Sequence, residues 1–103
     1  MIDWGRYRYL VVEDSPTMRA WLRQAILNMG GKSVTEAGGY GDAIHRLNKG
    51  EPFDVVLCDY ILTLDKYTIM PGGQKVLARD GQHLLEECRH RKLLHSGAVF
   101  FMV

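Results

Sequence analysis

An α/β fold built on a parallel sheet is predicted by three features of the sequence. A short, continuously apolar run, Tyr9–Val12 (YLVV), and a second apolar stretch, Asp54–Cys58 (DVVLC), are each followed at once by carboxylate residues. Runs of that kind suit strands covered on both faces. Between and after them lie segments whose apolar residues recur at helical spacing, and the alternation continues to Ala98–Val103 (AVFFMV). Buried strands alternating with amphipathic helices imply a parallel sheet carrying helices on its faces.

Each element has its own signal. After Tyr9–Val12, the triplet Asp14-Ser15-Pro16 reads as a helix start, with a capping side chain and a proline in the first turn. Met18, Trp21, Leu22, Ala25, Ile26 and Met29 then form one apolar stripe, with Arg19, Arg23 and Asn28 turned outward. Gly30-Gly31 closes that helix. Lys32–Glu36 is a weaker strand, expected near a sheet edge. Gly38, Gly39 and Gly41 mark a loop, and Ala43, Ile44 and Leu47 a short helix ending at Lys49-Gly50 before the Glu51-Pro52 turn. Gly81–His90 carries Leu84, Leu85 and Cys88 on one helical face.

Composition narrows the function. The chain has 103 residues, 47% of them hydrophobic and 24% charged, with a formal charge of +1. That length suits one domain. The near-neutral balance argues against a nucleic-acid surface, which needs a basic face. The apolar runs are too short to span a membrane, and Arg6, Arg8 and Glu13 interrupt any secretory leader. Cys58 and Cys88 form no CxxC pair, so a cytoplasmic domain with buried thiols is expected. The four histidines stand at no ligand spacing, and the basic run Arg89–Lys92 fits a solvated helix end. The GGYG stretch lacks the spacing of a phosphate loop.

The acids carry the chemistry. Glu13 and Asp14 follow the first apolar strand and Asp59 the third. In open α/β sheets ligands bind beyond the carboxyl ends of the strands. If those two strands are neighbours, three carboxylates meet in one crevice, and a hard divalent cation, Mg²⁺ foremost, relieves their repulsion.

At this point a family is recognisable. Tyr9-Leu-Val-Val-Glu-Asp-Ser-Pro-Thr-Met-Arg19 resembles the opening of the receiver domain of two-component response regulators. Val34–Ala37 with Asp42-Ala43-Ile44, Phe53–Asp59, Asp80-Gly81 and Ala98–Val103 resemble its later elements in order. The resemblance implies a flavodoxin-like sheet and a signalling module rather than an enzyme. In it Asp59 is the phosphoacceptor, fed by a sensor histidine kinase or a phosphotransfer protein. It further implies Mg²⁺ held by Glu13, Asp14, Asp59 and the main-chain carbonyl of Ile61. Glu in place of Asp at position 13 keeps the oxygen ligand.

Two departures from the family pattern shape the expectations. The stretch from Asp59 to Asp80 far exceeds a usual strand-to-helix loop of roughly 2–6 residues. Residues 62–79 are therefore read as an insertion, with a β-hairpin whose arms lie near Thr63–Met70 and Gln74–Ala78 around a Pro71-Gly72 turn. The family's hydroxyl residue, fifth strand, lysine and last two helices would also follow Val103, so residues 1–103 read as an incomplete receiver-like domain. An open apolar edge at Ala98–Val103 then predicts a homodimer through that edge or through the inserted segment. Two rival functions remain. One is a receiver-like interaction module that does not switch. The other is a Mg²⁺-dependent phosphohydrolase, against which Ile61 stands where a general acid would be needed.

Overall fold

The first apolar run ends up in the middle of the sheet, and this placement organises the molecule. The computed structural model describes residues 2–59, 67–69, 71–73, 75–77 and 80–103. Its elements are β1 (Arg8–Val12), α1 (Pro16–Asn28), β2 (Ser33–Ala37), α2 (Tyr40–Asn48), β3 (Val55–Cys58), β4 (Tyr67–Ile69), β5 (Lys75–Leu77), α3 (Gly81–Arg91) and β6 (Val99–Met102). A 3-10 turn at Trp4–Arg6, unforeseen in the sequence, precedes β1.

Four strands form one sheet in the order β2-β1-β3-β6, all parallel. The flavodoxin-like, receiver-type sheet expected from the sequence is thus present. β4 and β5 form a separate antiparallel pair, Tyr67 opposite Leu77 and Ile69 opposite Lys75. Gly72 between them has φ of +96°, as the third position of a type II turn requires. The hairpin falls inside both predicted arms.

Alternation along the strands divides the core between the two faces. Leu10, Val12, Val56 and Cys58 point to one side, where Tyr40, Ala43, Ile44 and Leu47 of α2, Leu84 and Cys88 of α3, and Phe53 close over them. Tyr9 and Val11 point to the other side, packing with Ile26 of α1 and with the half-buried Leu22, Val34, Val55 and Leu57. Among the described residues two helices cover the first face and α1 alone covers the second.

That asymmetry corrects the reading of α1. Its expected apolar stripe is only half used: Ile26 is buried, whereas Met18, Trp21 and Met29 are exposed, Trp21 by 64%. At 100° per residue, Met18, Trp21, Ala25 and Met29 share the flank that looks away from β2. Arg19 and Arg23, expected to face solvent, instead reach Glu36 of β2 at 3.5 and 3.8 Å. Tyr40 and Gly41 also differ from expectation. Both are buried in the first turn of α2 rather than lying in a loop.

Capping follows the sequence closely. Ser15 caps α1, its hydroxyl accepting the Met18 N–H at 3.3 Å. Asp80 caps α3 in a reciprocal capping box with His83. At the opposite end of the sheet, Asp54 accepts the Arg8 main-chain N–H at 2.7 Å and pairs with His95 Nε2 at 2.9 Å. The Arg8 N–H, foremost, holds the Asp54 carboxyl below its ordinary range. This clasp joins β1, β3 and the approach to β6.

Gly31, just past α1, lies close against Ile26 and Tyr9. A Cβ there would collide with the Ile26 Cγ2 methyl and stand 3.1 Å from the Tyr9 ring. Gly31→Ala is expected to destabilise the fold by about 1–3 kcal/mol, read as a lower urea midpoint with an unchanged slope.

Candidate functional site

Parallel pairing puts the two acid-bearing strand ends side by side. Val12 is in register with Cys58, so the residues that follow, Glu13 and Asp59, leave the sheet together. The ladder continues one step past the strands. Asp59 N–H donates to the Val12 carbonyl at 2.9 Å, and Glu13 N–H to the Ala37 carbonyl at 3.0 Å. Both carboxylates therefore rise from anchored backbone.

Glu13, Asp14 and Asp59 each offer a carboxylate oxygen, and these oxygens all lie within 4.8 Å of one another. Glu13 is buried and the other two are half-buried. Glu13 Oε1 also accepts the Ser15 N–H at 3.1 Å, which fixes it against the start of α1. Burial, then Asp59 and Asp14, push the Glu13 carboxyl up to about 7, against the opposing pull of the Ser15 hydrogen bond. A buried acid facing two others is a site arranged for positive charge.

The donor set fits a hard cation. All three donors are oxygen, and octahedral Mg²⁺ spans ligand oxygens up to about 4.2 Å apart, twice its metal–oxygen distance. Small rotations of the carboxylates bring a 4.8 Å set to that span. Among the described residues this is the sole cluster of potential metal ligands. Ile61, whose carbonyl was expected to join it, lies outside the described residues.

Arg19 is the neighbour that sequence reasoning missed. Its guanidinium donates to the Glu13 main-chain carbonyl at 2.8 Å while its Nε pairs with Glu36. It thereby braces the turn that carries Glu13 and Asp14. Helical periodicity assigned Arg19 to solvent; its place one turn after the Ser15 cap was the available signal.

The cysteines are buried, as expected, and His83 and His95 make structural contacts. Cys58 and Cys88 are buried free thiols, and burial foremost pushes them up to about 12 and about 11. Cys58 donates its thiol to the Asp59 carbonyl at 3.3 Å. His83 caps a helix and His95 serves the Asp54 clasp.

The solved structure of a MaeR response regulator bound to beryllium trifluoride superposes with a TM-score of 0.71. The match covers 94% of this chain at 18% identity. The chain has the response-regulator receiver fold. It spans 66% of the length of that matched chain. No protein-family model and no curated protein matches the sequence. The receiver fold here keeps its acids at the carboxyl ends of β1 and β3, the end of the sheet where parallel α/β folds bind ligands. No helix among the described residues is long and apolar enough to cross a membrane.

Proposed function

We propose that this receiver-fold chain is a phosphoacceptor module of two-component signalling, with Asp59 as the acceptor. The observation that carries the reading is the convergence of Glu13, Asp14 and Asp59 oxygens within 4.8 Å at the ends of adjacent strands. Asp59 is half-buried at a strand end, anchored by its own N–H and open to a donor. One Asp59 carboxylate oxygen attacks the phosphorus of a phosphohistidine on a partner kinase or phosphotransfer protein. The P–N bond breaks, its electron pair stays on the imidazole nitrogen, which takes a proton, and an acyl phosphate remains on Asp59.

Glu13, Asp14 and Asp59 would hold Mg²⁺, which supplies charge neutralisation for the phosphoryl oxygens during transfer. Glu13 and Asp14 keep the acceptor carboxylate in place through the shared site, and Arg19 and Ser15 hold Glu13. A cytoplasmic setting suits this role.

The test uses the full chain with Mg²⁺ and acetyl phosphate or phosphoramidate. Stoichiometric, base-labile, acid-stable phosphate is expected, and Asp59→Asn is expected to abolish it. Continuous turnover of the phosphodonor would instead mark a Mg²⁺-dependent phosphohydrolase, and absence of labelling an interaction module. Beryllium trifluoride, the ligand of the matched response regulator, is expected to bind with Mg²⁺ present and to require Asp59.

A further inference from the structure

The turn that carries two of the three site carboxylates is gripped by a single side chain. Glu13 stands one residue beyond β1, and Arg19 Nη1 donates to its main-chain carbonyl at 2.8 Å. That carbonyl belongs to the planar peptide group joining Glu13 to Asp14, so holding it fixes the plane from which both residues project. The Arg19 main-chain N–H donates to the Ser15 carbonyl at 2.9 Å, and the Ser15 N–H donates to Glu13 Oε1 at 3.1 Å. Glu13, Ser15 and Arg19 are thereby joined in a closed cycle of hydrogen bonds.

Arg19 is itself held. Its Nε lies 3.5 Å from one Glu36 oxygen on β2, and Arg23 reaches the other at 3.8 Å. The Arg19 side chain is 23% exposed and that of Arg23 48%, and of the two Arg19 goes on to Glu13. Its planar fork addresses a carboxylate and a carbonyl at once, which a lysine ammonium does less well.

Taking Glu13, Asp14 and Asp59 as the cation site of the proposed function, we propose that Arg19 is the positioning residue of that site. Oriented by Glu36, it fixes the turn from β1 to α1 so that the Glu13 and Asp14 oxygens meet a small divalent cation with little rearrangement. Mg²⁺ demands near-ideal octahedral geometry at about 2.0–2.1 Å, whereas Ca²⁺ accepts looser sets at about 2.3–2.6 Å. A braced turn therefore matters more to Mg²⁺. Charge acts in the opposite direction. A guanidinium beside the site repels a cation, so its removal by charge alone would tighten binding.

Calorimetric titration of the full chain with Mg²⁺ and with Ca²⁺ tests the role, with the folded fraction of each variant read by circular dichroism. Arg19→Met is expected to weaken Mg²⁺ binding roughly 10- to 100-fold and Ca²⁺ binding less. Arg19→Lys keeps the charge without the fork and is expected to weaken Mg²⁺ binding as well; it carries the same comparison should Arg19→Met fail to fold. Glu36→Gln is expected to cost less, and to add nothing to Arg19→Met, since both act through one contact. Arg23→Met removes the same charge from the same carboxylate and is expected to leave Mg²⁺ affinity unchanged. Without metal, exchange of the Ser15 amide hydrogen is expected to quicken in Arg19→Met and not in Arg23→Met. Unchanged or tighter Mg²⁺ binding in folded Arg19→Met, an equal loss for both cations, or an equal loss in Arg23→Met would each overturn the role. An unsubstituted chain that binds no Mg²⁺ would overturn the cation site and this role with it. Mg²⁺ binding without labelling of Asp59 would overturn phosphoacceptance alone.

Discussion

Between pH 8 and pH 5 the apparent affinity of the chain for Mg²⁺ is expected to fall roughly 100-fold, because a proton on Glu13 competes with the metal. Glu13 is held up to about 7 by burial and by Asp59 and Asp14. At pH 8 its carboxylate is available to the cation, and two units below 7 only about one molecule in a hundred offers it. Calorimetric titration at several pH values checks this, and proton release on binding near pH 7 is its second signature. Glu13→Gln is expected to weaken binding and flatten the pH dependence above pH 5. A dependence unchanged in that variant would place the titrating group elsewhere.

The same group makes stability fall with rising pH when metal is absent. In the unfolded chain Glu13 returns to its ordinary value of 4.5, so between 4.5 and about 7 the native state holds the extra proton. Stability then decreases as pH rises through that window, the reverse of a salt-bridged acid. The metal-free melting temperature is expected to be lower at pH 8 than at pH 6 through this group. Added Mg²⁺ is expected to recover more at pH 8 than at pH 6.

Phe53→Ala is expected to remove about 3–5 kcal/mol of stability. Phe53 is 1% exposed and lies in the core shared by α2, α3 and the sheet. Domains of this size have only about 5–15 kcal/mol in total. The melting temperature is expected to drop by roughly 15–30 °C, and binding of Mg²⁺ to fall with the folded fraction. Differential scanning calorimetry of the variant measures both the midpoint and the loss of cooperativity. A shift of only a few degrees would show that α2 and α3 collapse onto the vacated space.

The strands were legible because they are continuously apolar and end in carboxylates, a pattern that leaves little choice of element. The caps were legible because Ser15-Pro16 and Asp80-Gly81 combine residue types that suit helix starts. The acidic site followed once β1 and β3 proved adjacent, a fact of pairing that no local pattern contains. Three features escaped for physical reasons. Arg19 binds a main-chain carbonyl, and main-chain acceptors leave no trace in residue type. The 3-10 turn at Trp4–Arg6 is held by Asp3 accepting the Gly5 N–H, a contact too short-ranged to create periodicity. The stripe on α1 was read as wholly buried because apolar spacing marks what a helix can bury and not what its sheet covers. Pro71-Gly72 marked the turn between β4 and β5, while Ile61 lies outside the described residues.

The strand order also sets a timetable for folding. β1 is first in the chain and central, and both its neighbours, β2 and β3, have left the ribosome by Cys58. The carboxylate trio lies within the first 59 residues and can therefore gather before α3 and β6 have emerged. Of the described strands β6 adds last, pairing with a β3 already joined to β1. Late closure of a parallel pair is slow, since the intervening chain must be looped in first. During that wait β3 offers a bare edge to other nascent chains. Yield on expression should accordingly respond more to co-translational chaperones than to the metal.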